Sequence, residues 1–401
     1  MTSAGTVSHT IRPMQLQLPE PSADALDASR SLTHLIADEI GRAGGWISFA
    51  RYMELALYAP ELGYYSGGAA KLGKDGDFTT APEISPLFGA TLAQLALELF
   101  PQSDAAIMEF GAGTGKLALD ILSELRAAGQ LPHSYCIVEI SAQLRARQRE
   151  TLRDFPQVRW LDCLPAAFSG VVIGNEVLDA MPVQLVVRTD DGWAERGVTL
   201  TAAAQQLAFC YADRPCDAGL TQQIDIQIPD AQALPCGYLT EVHAVATGFM
   251  QSLAAMLSAG KSAALLFDYG FPAHEYYFAG RSQGTLMCHY RHHAHGDPFY
   301  LPGLQDITAH VDFTAMARAA MAGGLDIFGY TSQAGFLLNA GIGDLLLRTS
   351  PEQSRDYLPQ ANAVQKLISP AEMGELFKLL VCGNDVIWPQ RLLAHDRTHR
   401  L

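Results

Sequence analysis

The chain has 401 residues, more than the usual span of about 100–200 for one domain, so one enlarged or two fused domains are expected. With 49% hydrophobic and only 17% charged residues it can bury a large core, which excludes global disorder. A formal charge of −15 disfavours binding to phosphate backbones and suits a cationic ligand or a basic peptide. Seven cysteines, odd in number and without a C-x-x-C pair, speak against a disulfide framework or a structural zinc site. No apolar run approaches the roughly 18 residues of a membrane span. Residues 1–30 hold Pro13, Pro19 and Pro21, no apolar stretch, and the acids Glu20, Asp24 and Asp27. That is neither a secretory signal nor a transit peptide, so a loose tail on a cytoplasmic protein is expected.

In chain order, a helix is expected from Ser31, with Leu32, Leu35, Ile36 and Ile40 on one face and Gly44-Gly45 as its stop. Ser48 opens a second helix that ends before Pro60, residues 61–86 read as loop, and Leu92, Leu95, Ala96 and Leu99 mark a third helix. From residue 106 apolar strands (106–110, 135–140, 158–161, 170–174) alternate with helices, the pattern of a parallel sheet covered on both faces. Between 183 and 238 the rhythm breaks into β-like pieces, QLVVR, GWAERGVTL, QLAFCYA and QIDIQI, an inserted antiparallel element. A helix over 241–259 and a buried strand from Ala263 follow. A long loop over 271–305, a helix near 313–322 and strands near 325–330 and 379–387 complete the chain.

The sharpest local signal is Glu109-Phe110-Gly111-Ala112-Gly113-Thr114-Gly115 at the end of the first apolar strand. Glycines there let the backbone turn tightly and let a ligand lie against main-chain atoms. A dinucleotide fold places a third glycine where this chain has Lys116. The E-x-G-x-G-x-G spacing instead resembles the first motif of class I S-adenosylmethionine-dependent methyltransferases. That cofactor carries an ammonium and a sulfonium rather than phosphates, which an acid at 109 complements. Glu139 ends the second strand and can accept both ribose hydroxyls, while Asp162 ends the third and can accept the exocyclic amine of an adenine. Singly, the glycine run can be only a turn and Glu139 only a solvated strand end. Together they favour a nucleoside-type ligand at the switch point of the sheet.

Asn175-Glu176-Val177-Leu178-Asp179 leaves the fourth strand where substrates meet cofactors. It lacks the Asn-Pro-Pro-aromatic signature of methyltransferases that act on DNA bases or glutamine. It offers two carboxylates instead, on one face if the segment turns helically. Glu176 and Asp179 suit a guanidinium, which is planar and always charged, and either can take its proton. Against this, Glu176 can cap a helix and Asp179 lie on the surface. Cys288-His289-Tyr290-Arg291-His292-His293-Ala294-His295 is rich in histidine but has no metal-ligand spacing. It reads as a wall over the substrate pocket, with His295 a candidate for catalysis. Tyr64, Tyr65 and Phe78 can be pocket aromatics or simply fasten their loop.

Several separated blocks in order resemble the MidA-like methyltransferases, a family that includes the mitochondrial respiratory complex I assembly-factor arginine methyltransferase. They are ISFARYMELALYAPELGYYS (47–66), GDFTTAPEISPLFG (76–89), MEFGAGTGKLALDIL (108–122), GNEVLDAMPV (174–183), FDYGF (267–271) and the stretch 284–316. The resemblance spans residues 31 to about 385 and implies S-adenosyl-L-methionine as cofactor. It implies a class I Rossmann-like α/β sheet with an N-terminal helical cap and inserted β/loop segments that form a smaller substrate subdomain. On matching positions, Gly111, Gly113, Thr114, Gly115, Glu109, Glu139 and Asn175 would hold the cofactor, and Asp77, Phe78 and Thr80 would close over its methionine end. Asn175, Glu176, Asp179 and His295 would serve the reaction; His293 departs from the family's Arg-His pattern, which places His292 and His295 ahead of it.

The divisions expected are a tail (1–30), a helical cap (31–105), the first part of the core (106–182), a β-rich insertion (183–238), further core (239–270), a substrate-side loop (271–305) and the C-terminal core (306–401). The activity expected is N-methylation of an arginine in a protein, possible partners being a complex I subunit and a second copy of the chain. The alternatives are an assembly factor that binds the cofactor without catalysis, and an NAD(P)-dependent oxidoreductase.

Overall fold

The computed structural model describes residues 18–67, 79–201 and 207–401. The first helix, Ala23–Arg42, starts earlier than expected. Ser22 caps it by accepting the Ala25 N–H at 3.3 Å, and Asp24 sits in the first turn, where the helix dipole favours an acid. The loose tail therefore does not reach residue 30, and the acids that argue against a transit peptide are partly helix-start residues. Leu32, Ile36 and Ile40 are buried along one face. Ser48 caps the next helix, Phe49–Tyr58, as its position before an apolar run suggests.

Seven strands form the central sheet: β1 (Ala106–Phe110), β2 (Ser134–Val138), β3 (Val158–Leu161), β4 (Gly170–Asn175), β5 (Ser262–Phe271), β6 (Asp326–Ser332) and β7 (Phe377–Asn384). Their order is β6-β7-β5-β4-β1-β2-β3, extended by Val311–Asp312 beside the end of β5. β5, β4, β1, β2 and β3 are parallel, and β7 is antiparallel to both neighbours. All five residues of β1 are buried, as a strand covered on both faces requires. Strand order reverses between β1 and β4, and the crevice beyond their carboxyl ends is where such sheets bind ligands.

A second, antiparallel sheet is built from Gln184–Thr189, Gly192–Leu200, Phe209–Pro215, Leu239–Val242 and the short Ile47–Ser48. The helix Phe49–Tyr58 packs on it. Phe49, Tyr52, Met53 and Leu57 share one core with Leu185, Val198, Cys288 and Ile307, each large apolar side chain contributing roughly 1.5–3 kcal/mol by burial. The proposed cap of 31–105 thus divides. Its first two helices serve the inserted sheet, whereas Pro86–Leu99 lies on the central sheet with Ile107 and Leu117.

Four expectations change. QIDIQI belongs to a helix, Ala218–Gln227, capped by Asp217; Leu220, Ile224 and Gln227 form its buried face, and the alternating Ile and polar residues only imitate a strand. Residues 239–242 are a strand paired with 184–187, so the following helix begins at Ala244 rather than 241. The 271–305 segment is not a loop throughout. It holds a short helix, Ala273–Tyr276, and the hairpin Met287–Tyr290 with His293–His295, joined to Asp306–Thr308. Arg291 and His292 form the hairpin turn with φ of +46° and +64°, a geometry usually held by Asn-Gly, which hides the turn in the sequence. Finally, the helices Gln333–Asn339 and Ser354–Ile368, unassigned by periodicity, place Phe336, Leu337, Val364 and Leu367 in the main core.

Candidate active site

Where β1 ends, Gly111, Gly113 and Gly115 take φ of +61°, +52° and +82°, the left-handed region that glycine enters without steric cost. Gly115 starts the helix Lys116–Ala127, and a Cβ there would stand 3.4 Å from the Gln148 backbone. The turn borders a cavity of about 490 Å³ that spans β1, β2 and β4.

Four carboxylates on these strands or just past their ends line the cavity: Glu109, Glu139, Glu176 and Asp179. Glu109 is buried and accepts the Tyr135 hydroxyl at 2.7 Å; burial raises its pKa to about 7. Glu139 accepts the Ser141 N–H at 2.9 Å and the Gln148 amide at 3.0 Å, so its ring of donors fixes it at the mouth of β2. Ile140, Leu164, Val245 and Phe249 form an apolar flank beside it.

The segment after β4 is a bend rather than the helix assumed for the acid pair. Glu176 has φ +56°, a conformation that costs a non-glycine residue about 1–3 kcal/mol and is characteristic of working sites. Its backbone N–H bonds Phe267 O at 2.8 Å, and its carboxylate accepts the Asn175 amide at 3.0 Å. Asp268 shapes the rest. Fully buried, it accepts the N–H groups of Leu178 (2.9 Å) and Asp179 (3.2 Å) on one oxygen and that of Tyr269 (2.9 Å) on the other. Tyr58 donates to Ala180 O at 2.8 Å, and the Ala309 N–H bonds Asp179 O at 3.0 Å. Burial, with Asp179 as the next cause, raises the Glu176 pKa to about 8. Burial also raises Asp179 and Asp268, which lie against one another.

Tyr65 lines the cavity, the first of the two readings open to it. It stacks on Tyr58 with ring centroids 5.5 Å apart and donates to Asp306. Tyr64 instead packs in the core. Thr80 and Glu83 close another side. Asp77 and Phe78 lie outside the described residues.

Gly115 packs toward Gln148 and Thr151 rather than lining the cavity, and two further candidates are not brought to it. The Asp162 side chain is 87% exposed and pairs with Arg145 at 2.5 Å, because β3 ends at Leu161 on the outer edge of the sheet. His295 sits in the hairpin of the third sheet, edge-on to Tyr300 and accepting the Asp297 N–H at 3.3 Å. Tyr58 and Asp268 were missed. The signal for Asp268 was present, an acid closing the buried run Ala-Ala-Leu-Leu-Phe next to β4.

The residues fit a nucleoside bearing a positive sulfur. Positive-φ glycines border the space, a strand-end carboxylate stands beside an apolar flank, and the buried Asn175 Oδ1 and Asp179 Oδ1 have no protein partner. This fold and site define a class I, S-adenosylmethionine-dependent methyltransferase. The family described as "Putative S-adenosyl-L-methionine-dependent methyltransferase" matches residues 87–331, and the chain belongs to it. Over 397 residues, 90% of this chain and 88% of the relative, it is 32% identical to the protein arginine methyltransferase NDUFAF7, mitochondrial, of Danio rerio. The Bos taurus protein of that name is 30% identical over 90% of this chain and 83% of its own. A Burkholderia thailandensis crystal structure, described as a "likely methyl transferase" bound to S-adenosyl-homocysteine, shares 52% identity with a TM-score of 0.89, covering 96% of this chain and all of the other. The oxidoreductase alternative falls with these findings. The cytoplasmic expectation is corrected too: the curated relatives are mitochondrial by name, and an acidic, proline-containing first stretch does not fix a compartment.

Proposed function

We propose that the protein N-methylates the guanidinium of an arginine in a protein substrate, a respiratory complex I subunit being the substrate suggested by the resemblance. The observation that carries this reading is the pair Glu176 and Asp179, both buried at one cavity with no basic partner beside them among the described residues. Such a pair complements a planar cation bidentately. The relatives named protein arginine methyltransferases support it.

Glu109, Glu139, the glycine turn and Asn175 would hold the cofactor, which supplies an electrophilic methyl group on a sulfonium. Glu176 and Asp179 orient the acceptor nitrogen, and Glu176, next to the cofactor-side Asn175, takes the proton that this nitrogen loses. Tyr58 and Tyr65 wall the acceptor side and keep water out.

The test is incubation with labelled cofactor and a basic protein extract, followed by mass spectrometry for methylarginine. Transfer that Glu176→Gln abolishes, with cofactor binding intact, supports the reading. Cofactor binding without transfer to any protein leaves the assembly-factor alternative standing.

A further inference from the structure

The cavity is unusual in what does not face it. Among the described residues Lys116 is its one lining Lys or Arg, and Lys116 is already paired with Asp120. Glu109 meets only the Tyr135 hydroxyl, with Glu139 as its nearest charge. Around Glu176 stand the Asn175 amide, the Ala81 N–H and the acids Asp179 and Asp306; around Asp179 stand Glu176, Asp268, the Tyr269 hydroxyl, which donates to it, and Tyr58. Tyr65 bonds Asp306, Glu83 bonds Thr114, and His310 lies behind Tyr269 at a ring distance of 5.0 Å. Glu139 differs, since Arg145 acts on it.

We infer that this cavity exchanges protons for positive charge, and that Glu109, Glu176 and Asp179 together distinguish the charged cofactor from its neutral demethylated form by the protons each displaces. This rests on the cofactor assignment made above. A buried carboxylate without a counter-ion neutralises itself by holding a proton. Burial raises all three acids in the ligand-free chain. A cation arriving beside them favours the ionised form, and the proton leaves to solvent. The two forms of the cofactor share every group except the methyl on sulfur, so the difference between them isolates the sulfonium charge. By linkage, a difference of half a proton changes the ratio of the two dissociation constants about threefold per pH unit, with the charged form gaining as pH rises.

The experiment is isothermal titration of the full chain with S-adenosylmethionine and with S-adenosylhomocysteine, each at pH 7 in phosphate and in Tris. The heats in two buffers give the protons released. More protons released by S-adenosylmethionine, by about half or more, and a smaller difference in Glu109→Gln and Glu176→Gln, support the inference. A difference that persists unchanged in both variants belongs to the ligand and overturns it. Equal proton numbers, with a Kd ratio flat from pH 6 to 8.5, also overturn it and need no variant to fold. Absence of binding by either ligand overturns the cofactor assignment and this inference with it.

Discussion

Thr114, in the middle of the glycine turn, donates its hydroxyl to Glu83 Oε1 at 2.6 Å. The bond fastens the turn to the short helix Ala81–Ile84, and both side chains line the cavity. A hydrogen bond to a carboxylate contributes about 1.5–3 kcal/mol. Thr114→Val should therefore lower the unfolding free energy by about that amount and weaken cofactor binding, as denaturant titration and calorimetry would show. Unchanged cofactor affinity would make the bond a structural fastening alone.

Gly113→Val places a β-branched side chain at φ +52°. The left-handed backbone alone costs about 1–2 kcal/mol, and the branch fills space at the cavity wall. Loss of cofactor binding in a chain that keeps its circular dichroism spectrum is the expected result.

Glu176→Gly should separate stability from activity. It relieves a backbone strained at φ +56° and removes a buried acid that has no counter-ion among the described residues, so the melting temperature should rise while transfer is lost. A lower melting temperature would show that the Glu176 side chain holds the bend in place.

The ligand-free protein should lose stability as pH rises. Burial raises Glu109 to about 7 and Glu176 to about 8, above ordinary carboxylates, so the folded chain binds more protons than the unfolded one between about pH 4.5 and 8. The stabilisation is complete below that range and disappears through pH 7–8. Melting temperatures at constant ionic strength should fall from pH 5.5 to 8.5, with a shallower fall in Glu109→Gln.

His295→Ala should leave cofactor affinity and methyl transfer unchanged, since the ring lies in the hairpin away from the cavity. A large fall in kcat would bring the hairpin back into the site.

Legibility in the sequence followed the physics of each element. The strands of the β-α alternation were readable because buried parallel strands are nearly continuous apolar runs, and Glu109, the glycines and Glu139 followed from where those runs stop. Asp162 sits at an equivalent strand end by spacing, but β3 is the sheet's outer strand and its end opens to solvent. The acid pair was legible as chemistry and not as geometry: the left-handed Glu176 and the anchor Asp268 depend on contacts between residues about 90 apart in the chain. Tyr58 looked like any apolar helix position, since nothing local marks a tyrosine whose partner is Ala180 O.

The two halves of the cavity differ in how much chain must exist before they can form. Glu109, the glycine turn, Glu139 and Glu176 come from one stretch of about 70 residues, whereas the acceptor wall joins Tyr58 and Tyr65 to Asp306 across more than 240. During synthesis the nucleoside cradle can be nascent long before the anchor of the opposite wall, Asp306, has left the ribosome. The acceptor side is therefore the later to be fastened, and a chain truncated ahead of residue 306 would keep the lining residues, which end at Phe249, without the acid that holds Tyr65.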